Sequence, residues 1–238
     1  MGANNYGEIL ELVKDKLFLL QNIVKLDGRL IAFPPNQSGF APINCYILKE
    51  DNGALMIDTG YLYHEQSILS QLSEIISKNI PLSILPSRVN EFMSVGNVKS
   101  ISQKFNVMGY YLAQPDAPDW FDFTDRERDF SLRKIPTHVI GKHIEFELGS
   151  KTNRFVEIMP APLRLINTAW VYDKMSETLF TSDMFTYGLS GKPDDKCNPL
   201  TSIAVLSKSS LGNAEPILIL ISSAVLSPTT KLCTFLRY

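Results

Sequence analysis

Apolar positions along this chain fall into two periods, and the change from one to the other marks the elements. Ile9–Val13 and Leu17–Val24 are short apolar runs of strand length. Asp27-Gly28 has hairpin-turn chemistry and predicts a turn into a further strand over Arg29–Phe33. A proline-rich loop over Pro34–Pro42 precedes a strand over Asn44–Lys49. Asp51-Asn52-Gly53 then turns the chain into Ala54–Ile57, whose unbroken apolar run suits a strand buried on both faces. Ile68, Leu69, Leu72, Ile75 and Ile76 recur at the spacing of one helix face. Strands over Leu82–Leu85 and Val107–Leu112 flank a second helical pattern, Val95 to Phe105, in which Val98, Ile101 and Phe105 share a side. Alternating strands and helices predict a layered α/β arrangement.

The second half is richer in strands: His138–Ile140, Ile144–Leu148, Phe155–Met159, Ala169–Tyr172 and Thr178–Thr181, with Gly141-Lys142 and Asp173-Lys174 read as hairpin turns. Pro216–Leu226 predicts a buried strand in a tail almost without charge. No repeat or boundary interrupts the pattern, so one domain over residues 1–238 is expected.

Composition narrows the function classes. The apolar fraction of 45% and charged fraction of 20% are those of an ordinary soluble protein. A net charge of −2 gives no electrostatic footprint for nucleic acid or an anionic membrane. Pro216–Leu226 is too short to span a bilayer, and no secretory signal is legible at the N-terminus. Cys45, Cys197 and Cys233 form no paired motif and cannot all be bridged within one chain, which predicts a reducing, cytoplasmic setting. Cys197 has no histidine nearby in sequence to activate it as a nucleophile. His64, His138 and His143 are expected at solvent, and Trp120-Phe121-Asp122-Phe123 to pack a lid loop, a pocket mouth or a homodimer contact.

Three ordered motifs carry a family resemblance. Asn44-Cys45-Tyr46-Ile47-Leu48 followed by Leu55-Met56-Ile57-Asp58-Thr59-Gly60 and a helix resembles the opening of the metallo-β-lactamase superfamily. Glu145-Phe146-Glu147-Leu148-Gly149 resembles the stretch leading to that family's third ligand segment. Leu179-Phe180-Thr181-Ser182-Asp183 resembles the strand end that presents its bridging aspartate. The resemblance spans roughly residues 8 to 200 and is closest in style to the flavodiiron-like branch. It implies a four-layer αββα sandwich, with a C-terminal part that is atypical or shortened. It also implies a site where histidines and carboxylates hold two metals that activate water or dioxygen.

The branch's H-x-E-x-D-H-x-G segment, anchored on Gly96, falls on Val89, Glu91, Met93 and Ser94, so only the glutamate remains. The third-segment histidine becomes Arg164, and the bridging aspartate remains as Asp183. Glu91 and Asp183 are thus vestigial metal candidates, too few for a two-metal centre, and no catalytic residue is assigned. Arg164 in a former ligand position suggests a guanidinium replacing metal charge between the two carboxylates. Asp58 serves as a turn cap or as a support behind the site. The expected pocket is Asp58, Arg88, Asn90, Glu91, Arg164 and Asp183, with Arg88 and Glu91 in a strand-to-helix loop. The reading is a small-ligand-binding or non-catalytic member with no cofactor. The alternatives are a hydrolase or di-iron oxidoreductase-like enzyme with a reduced zinc or iron site, and a structural or interaction protein.

Overall fold

Side-chain alternation along two neighbouring strands shows how the layers divide. On β3 (Gly39–Glu50), Cys45 and Ile47 join one apolar cluster while Tyr46 and Leu48 join another. On β4 (Gly53–Ile57), Ala54 and Met56 face the first cluster, and Leu55 and Ile57 the second. A sheet with apolar residues on both faces must be covered on both. The computed structural model describes residues 7–30, 35–121, 132, 134–162, 167–182, 204–205 and 218–220.

With β1 (Gly7–Val13), β2 (Leu17–Leu26), β5 (Leu82–Leu85), β6 (Val107–Leu112) and β7 (Thr137–Val139), these strands form a seven-stranded sheet in chain order. Pairing is antiparallel from β1 to β4 and parallel from β4 to β7. One face is covered by helices α1 (Glu65–Ile75) and α3 (Val98–Lys104), through Ile68, Leu72, Val98 and Ile101. The other packs on a second sheet through Val156, Ile158, Val171 and Phe180. That sheet contains β8 (Ile144–Glu147), β9 (Phe155–Pro160), β10 (Ala169–Asp173), β11 (Thr178–Phe180), β12 (Ala204–Val205) and β13 (Leu218–Leu220), in the order β12-β13-β11-β10-β9-β8. The layers run helix, sheet, sheet, and no helix covers the far face of the second sheet among the described residues. No helix of the described residues is long and apolar enough to cross a membrane.

Several expectations change. Arg29 and Leu30 are not strand; β2 runs on to Leu26, and Arg29 folds back to donate to Asp27. The partner of β2 is β3, reached through a longer loop. Gly141-Lys142 is no hairpin turn: β7 belongs to the first sheet and β8 to the second, so the chain crosses between layers there. The pattern over Val95–Phe105 splits into α2 (Phe92–Val95) and α3, with Gly96 and Asn97 between them. Of Pro216–Leu226, Leu218–Leu220 are strand β13, paired parallel to β11, and the remainder lies outside the described residues. Phe121 packs edge-on against Tyr110 in the helix-side core, and Asp122 and Phe123 of that run lie outside the described residues.

Candidate functional site

The carboxyl ends of β4 and β5 meet the second sheet at one place. Asp58 follows β4 with φ +59°, a left-handed conformation that aspartate tolerates better than most residues. Its backbone N–H donates to Leu85 at 3.0 Å. Its carboxylate accepts from the Ser87 backbone N–H at 2.7 Å and from the Ser87 hydroxyl at 2.8 Å. Asp58 therefore reaches across to the neighbouring strand end.

Ser87 continues the connection into the second sheet. Its carbonyl accepts from Ala169 N–H at 2.8 Å, and Arg88 bridges Thr168 in antiparallel fashion. Ser87 Oγ also lies 2.9 Å from Ser182 Oγ, at the end of β11. An ionised carboxylate accepts only, so the single Ser87 proton goes to Asp58 and Ser182 donates to Ser87. Ser182 too is left-handed, with φ +58°. Two strained residues on facing strand ends thus share one buried hydroxyl between them.

The loop beyond Ser87 holds the positions that resemble the first ligand segment of the metallo-β-lactamase superfamily. Arg88, with a side chain 13% exposed, pairs with Glu91, 30% exposed, at 3.2 Å. Asn90 points to solvent. Val89 is part of the helix-side core. Met93 packs on a separate apolar cluster of Val24, Leu26, Ala41, Ile43 and Tyr61. Ser94 is buried, and its carbonyl accepts from both Thr59 N–H and Thr59 Oγ1. Gly60 N–H donates to Met93. Asn97, fully buried, donates its amide to the carbonyls of Thr59, Gly60 and Tyr61.

The structure thus ties Asp58 to Ser87, which adjoins Arg88, and Arg88 holds Glu91. Arg164 and Asp183 lie outside the described residues, as does Cys197. Sequence reasoning missed the hydroxyls of Ser87 and Ser182. The signal was present, because each adjoins a motif position, Arg88 and Asp183.

His138 and His143 are exposed as expected, His138 stacked on Tyr111 and His143 paired with Glu157 at 3.0 Å. His64 is not: it is 4% exposed, and burial lowers its pKa below the usual histidine value, partly offset by a contact to the Ile23 carbonyl.

The site can be tested against the metal centre that the fold implies. Val89 and Met93 contribute side chains to two different apolar clusters, and neither valine nor a packed thioether binds hard or borderline cations. The one carboxylate of the segment, Glu91, already has a cationic partner. Among the described residues no three His, Cys, Asp or Glu side chains converge in a metal-binding group. This segment does not fit a two-metal centre.

No family model and no curated protein matches the chain. Solved structures do. Rubredoxin oxygen:oxidoreductase from the anaerobe Desulfovibrio gigas superposes with a TM-score of 0.59 at 15% identity, over 78% of this chain and 43% of that one. A diflavin flavoprotein fragment from Nostoc sp. gives 0.59 at 12% identity, over 79% and 70%. The metal-soaked flavodiiron core from Synechocystis sp. gives 0.57 at 14%, over 79% and 44%. The chain spans less than half the length of the first of these, and at such identities the likeness is one of fold. Two stacked sheets, helices on the outer face of the first, and the superposition on these structures accordingly make this a chain of the metallo-β-lactamase-type fold found in flavodiiron proteins.

Proposed function

We propose that this chain is a metallo-β-lactamase-fold protein that works without a transition metal and uses the Ser87–Gly96 loop as a small-ligand site. The observation that carries this reading is the fate of the ligand segment: Val89 and Met93 built into apolar clusters, and Glu91 ion-paired to Arg88. Iron, which the names of the flavodiiron neighbours imply, and zinc both call for imidazole and carboxylate donors. Here a guanidinium stands beside the remaining carboxylate and supplies its counter-charge from within the protein.

Elemental analysis of the full chain after dialysis against a weak chelator tests it. Metal content well below one ion per chain is expected. Zinc or iron at about one per chain or more overturns the reading and favours a metal-dependent enzyme. Thermal-shift screening of small anions and polar metabolites against the unmodified chain and Arg88→Ala then tests the ligand role. A second reading, an interaction protein, draws on the exposed Leu62, Tyr63 and Phe92 around this loop. An empty screen together with a stable dimer in solution would favour it.

A further inference from the structure

We propose that His64 is an acid-sensitive latch that fixes the turn after Asp58 and, through it, the loop carrying Arg88 and Glu91. The inference stands apart from what the site binds. His64 ends a short 3-10 turn, Leu62–His64, between the Asp58–Tyr61 segment and α1. Its Nε2 lies 3.2 Å from the Ile23 carbonyl on β2, and its Nδ1 is buried with no hydrogen-bond partner among the described residues. A carbonyl only accepts, so the neutral ring carries its proton on Nε2 and leaves Nδ1 bare. The ring stands edge-on to Tyr63 at 5.1 Å.

Acid changes this arrangement in one specific way. A second proton must enter at Nδ1, where it finds no acceptor and creates a buried charge. The charged and titratable groups nearby do not relieve it. Tyr61 and Tyr63 are on its own segment and Glu65 opens α1. Lys25 lies on β2, Asp27 pairs with Arg29 beyond that strand, and Glu91 pairs with Arg88. Among the described residues, what acts on the imidazole is burial first and the Ile23 carbonyl second. The folded chain therefore keeps the neutral ring. Its contribution is complete above the ordinary histidine pKa and declines as pH falls below it, where the released ring takes the proton and the buried ring does not.

Two contacts carry release of this turn to the site loop. A Cβ on Gly96 would lie 2.9 Å from Leu62 N and 2.4 Å from the Gly60 carbonyl, so the loop end and the turn are in tight backbone contact. Met93 packs on the cluster that contains Tyr61. A ring that leaves its seat takes Leu62–His64 with it and removes one wall from Met93 and Gly96.

Amide hydrogen exchange on the full chain at about pH 7.5 and about pH 5, corrected for intrinsic rates, tests the latch. Protection at residues 61–65 and at Gly96 should fall by about tenfold or more at the lower pH, while amides of β3 and β4 keep theirs. His64→Gln, whose amide can still donate to Ile23, should flatten that dependence, and His138→Gln should leave it unchanged. Unchanged protection overturns the proposal, as does an equal fall in His64→Gln or a fall shared by β3 and β4. Should His64→Gln fail to fold, the ring resonance of the unmodified chain decides. A His64 midpoint below the ordinary histidine value, with protection already falling above that midpoint, supports the latch, and a midpoint at or above the ordinary value overturns it.

Discussion

Arg154, just before β9, and Asp173, at the end of β10, form a two-point ion pair within the second sheet, Nε to Oδ1 at 3.2 Å and Nη2 to Oδ2 at 2.7 Å, with side chains 3% and 0% exposed. It lies at the end of the sandwich opposite Asp58, where β3 finishes and β4 begins. The other guanidinium nitrogen donates to the carbonyls of Lys16 and Lys49 and reaches Glu50 at 3.2 Å, while Ser176 Oγ and Met175 N–H donate to Asp173. Each nitrogen of the guanidinium and each oxygen of the carboxylate thus has at least one partner, the condition under which a buried pair holds its place.

Arg154→Ala should therefore cost about 3–5 kcal/mol in urea unfolding, because it strands a buried aspartate. Combined with Asp173→Asn, the loss should be less than the sum of the two singles. A cost for Arg154→Ala under about 1 kcal/mol would put the pair in the class of surface salt bridges and contradict the geometry.

Neither member of this pair was legible in the sequence, where Asp173-Lys174 reads as a hairpin turn and Arg154 stands just before a strand. What makes them a core feature is the stacking of two sheets, and no local pattern records it. The strand pattern was legible, because β3 and β4 show long apolar runs and α1 a helical stripe. The crossover at Gly141-Lys142 was not, because turn residues look alike whether the chain returns to the same sheet or passes to another. His64 could have been placed: it stands four residues before Ile68, on the buried face of α1 extended backwards. In the candidate site, the apolar or hydroxyl character of Val89, Met93 and Ser94 was readable residue by residue. The hydroxyl link from Ser182 to Asp58 needed three dimensions.

Removing that link should show in stability. Ser87→Ala deprives the buried Asp58 carboxylate of one of its two donors from Ser87, and about 1–3 kcal/mol is the usual cost of leaving a buried polar group short of a partner. Ser182→Ala should cost less, since Ser87 keeps its bond to Asp58. Thermal unfolding of the two variants gives the order, and a larger loss in Ser182→Ala would reverse the assigned direction of the relay.

Cys45 should be inert in the native chain. Burial pushes its thiol well above the usual range, with the Asp58 charge adding to the effect, and the side chain has no exposed surface. Thiolate is the reactive species, so labelling by iodoacetamide should follow unfolding. Peptide mapping by mass spectrometry would show Cys45 modified at a rate set by denaturant, and rapid labelling in buffer alone would contradict its place in the core.

Close backbone contact at the Arg154 end gives a further contrast. A Cβ on Gly53 would sit 2.6 Å from Gly149 Cα, whereas one on Gly141 would meet nothing within 4 Å. Gly53→Ala should destabilise by about 1–3 kcal/mol as overpacking does. Gly141→Ala should stay within roughly 0.5 kcal/mol of the parent. Equal effects in parallel melts would mean that the two sheets separate easily at this end.

The order of the second sheet carries a kinetic consequence. β8, β9, β10 and β11 are neighbours in both chain and space, each pairing antiparallel with the next. β13 joins β11 in parallel, with Phe180 opposite Leu220, and lies far from it in sequence, so a distant closure must come before any of its ladder bonds form. Contacts local in sequence form early and distant ones late. The four-strand meander should therefore assemble first and wait, with β11 as its open edge, for β13 to dock. Pulse-labelling during refolding would find the amides of β9 and β10 protected in an earlier phase than those of β13. Until that second phase ends, the open β11 is a strand edge that another chain can pair with, so the yield of monomer on refolding should fall as protein concentration rises.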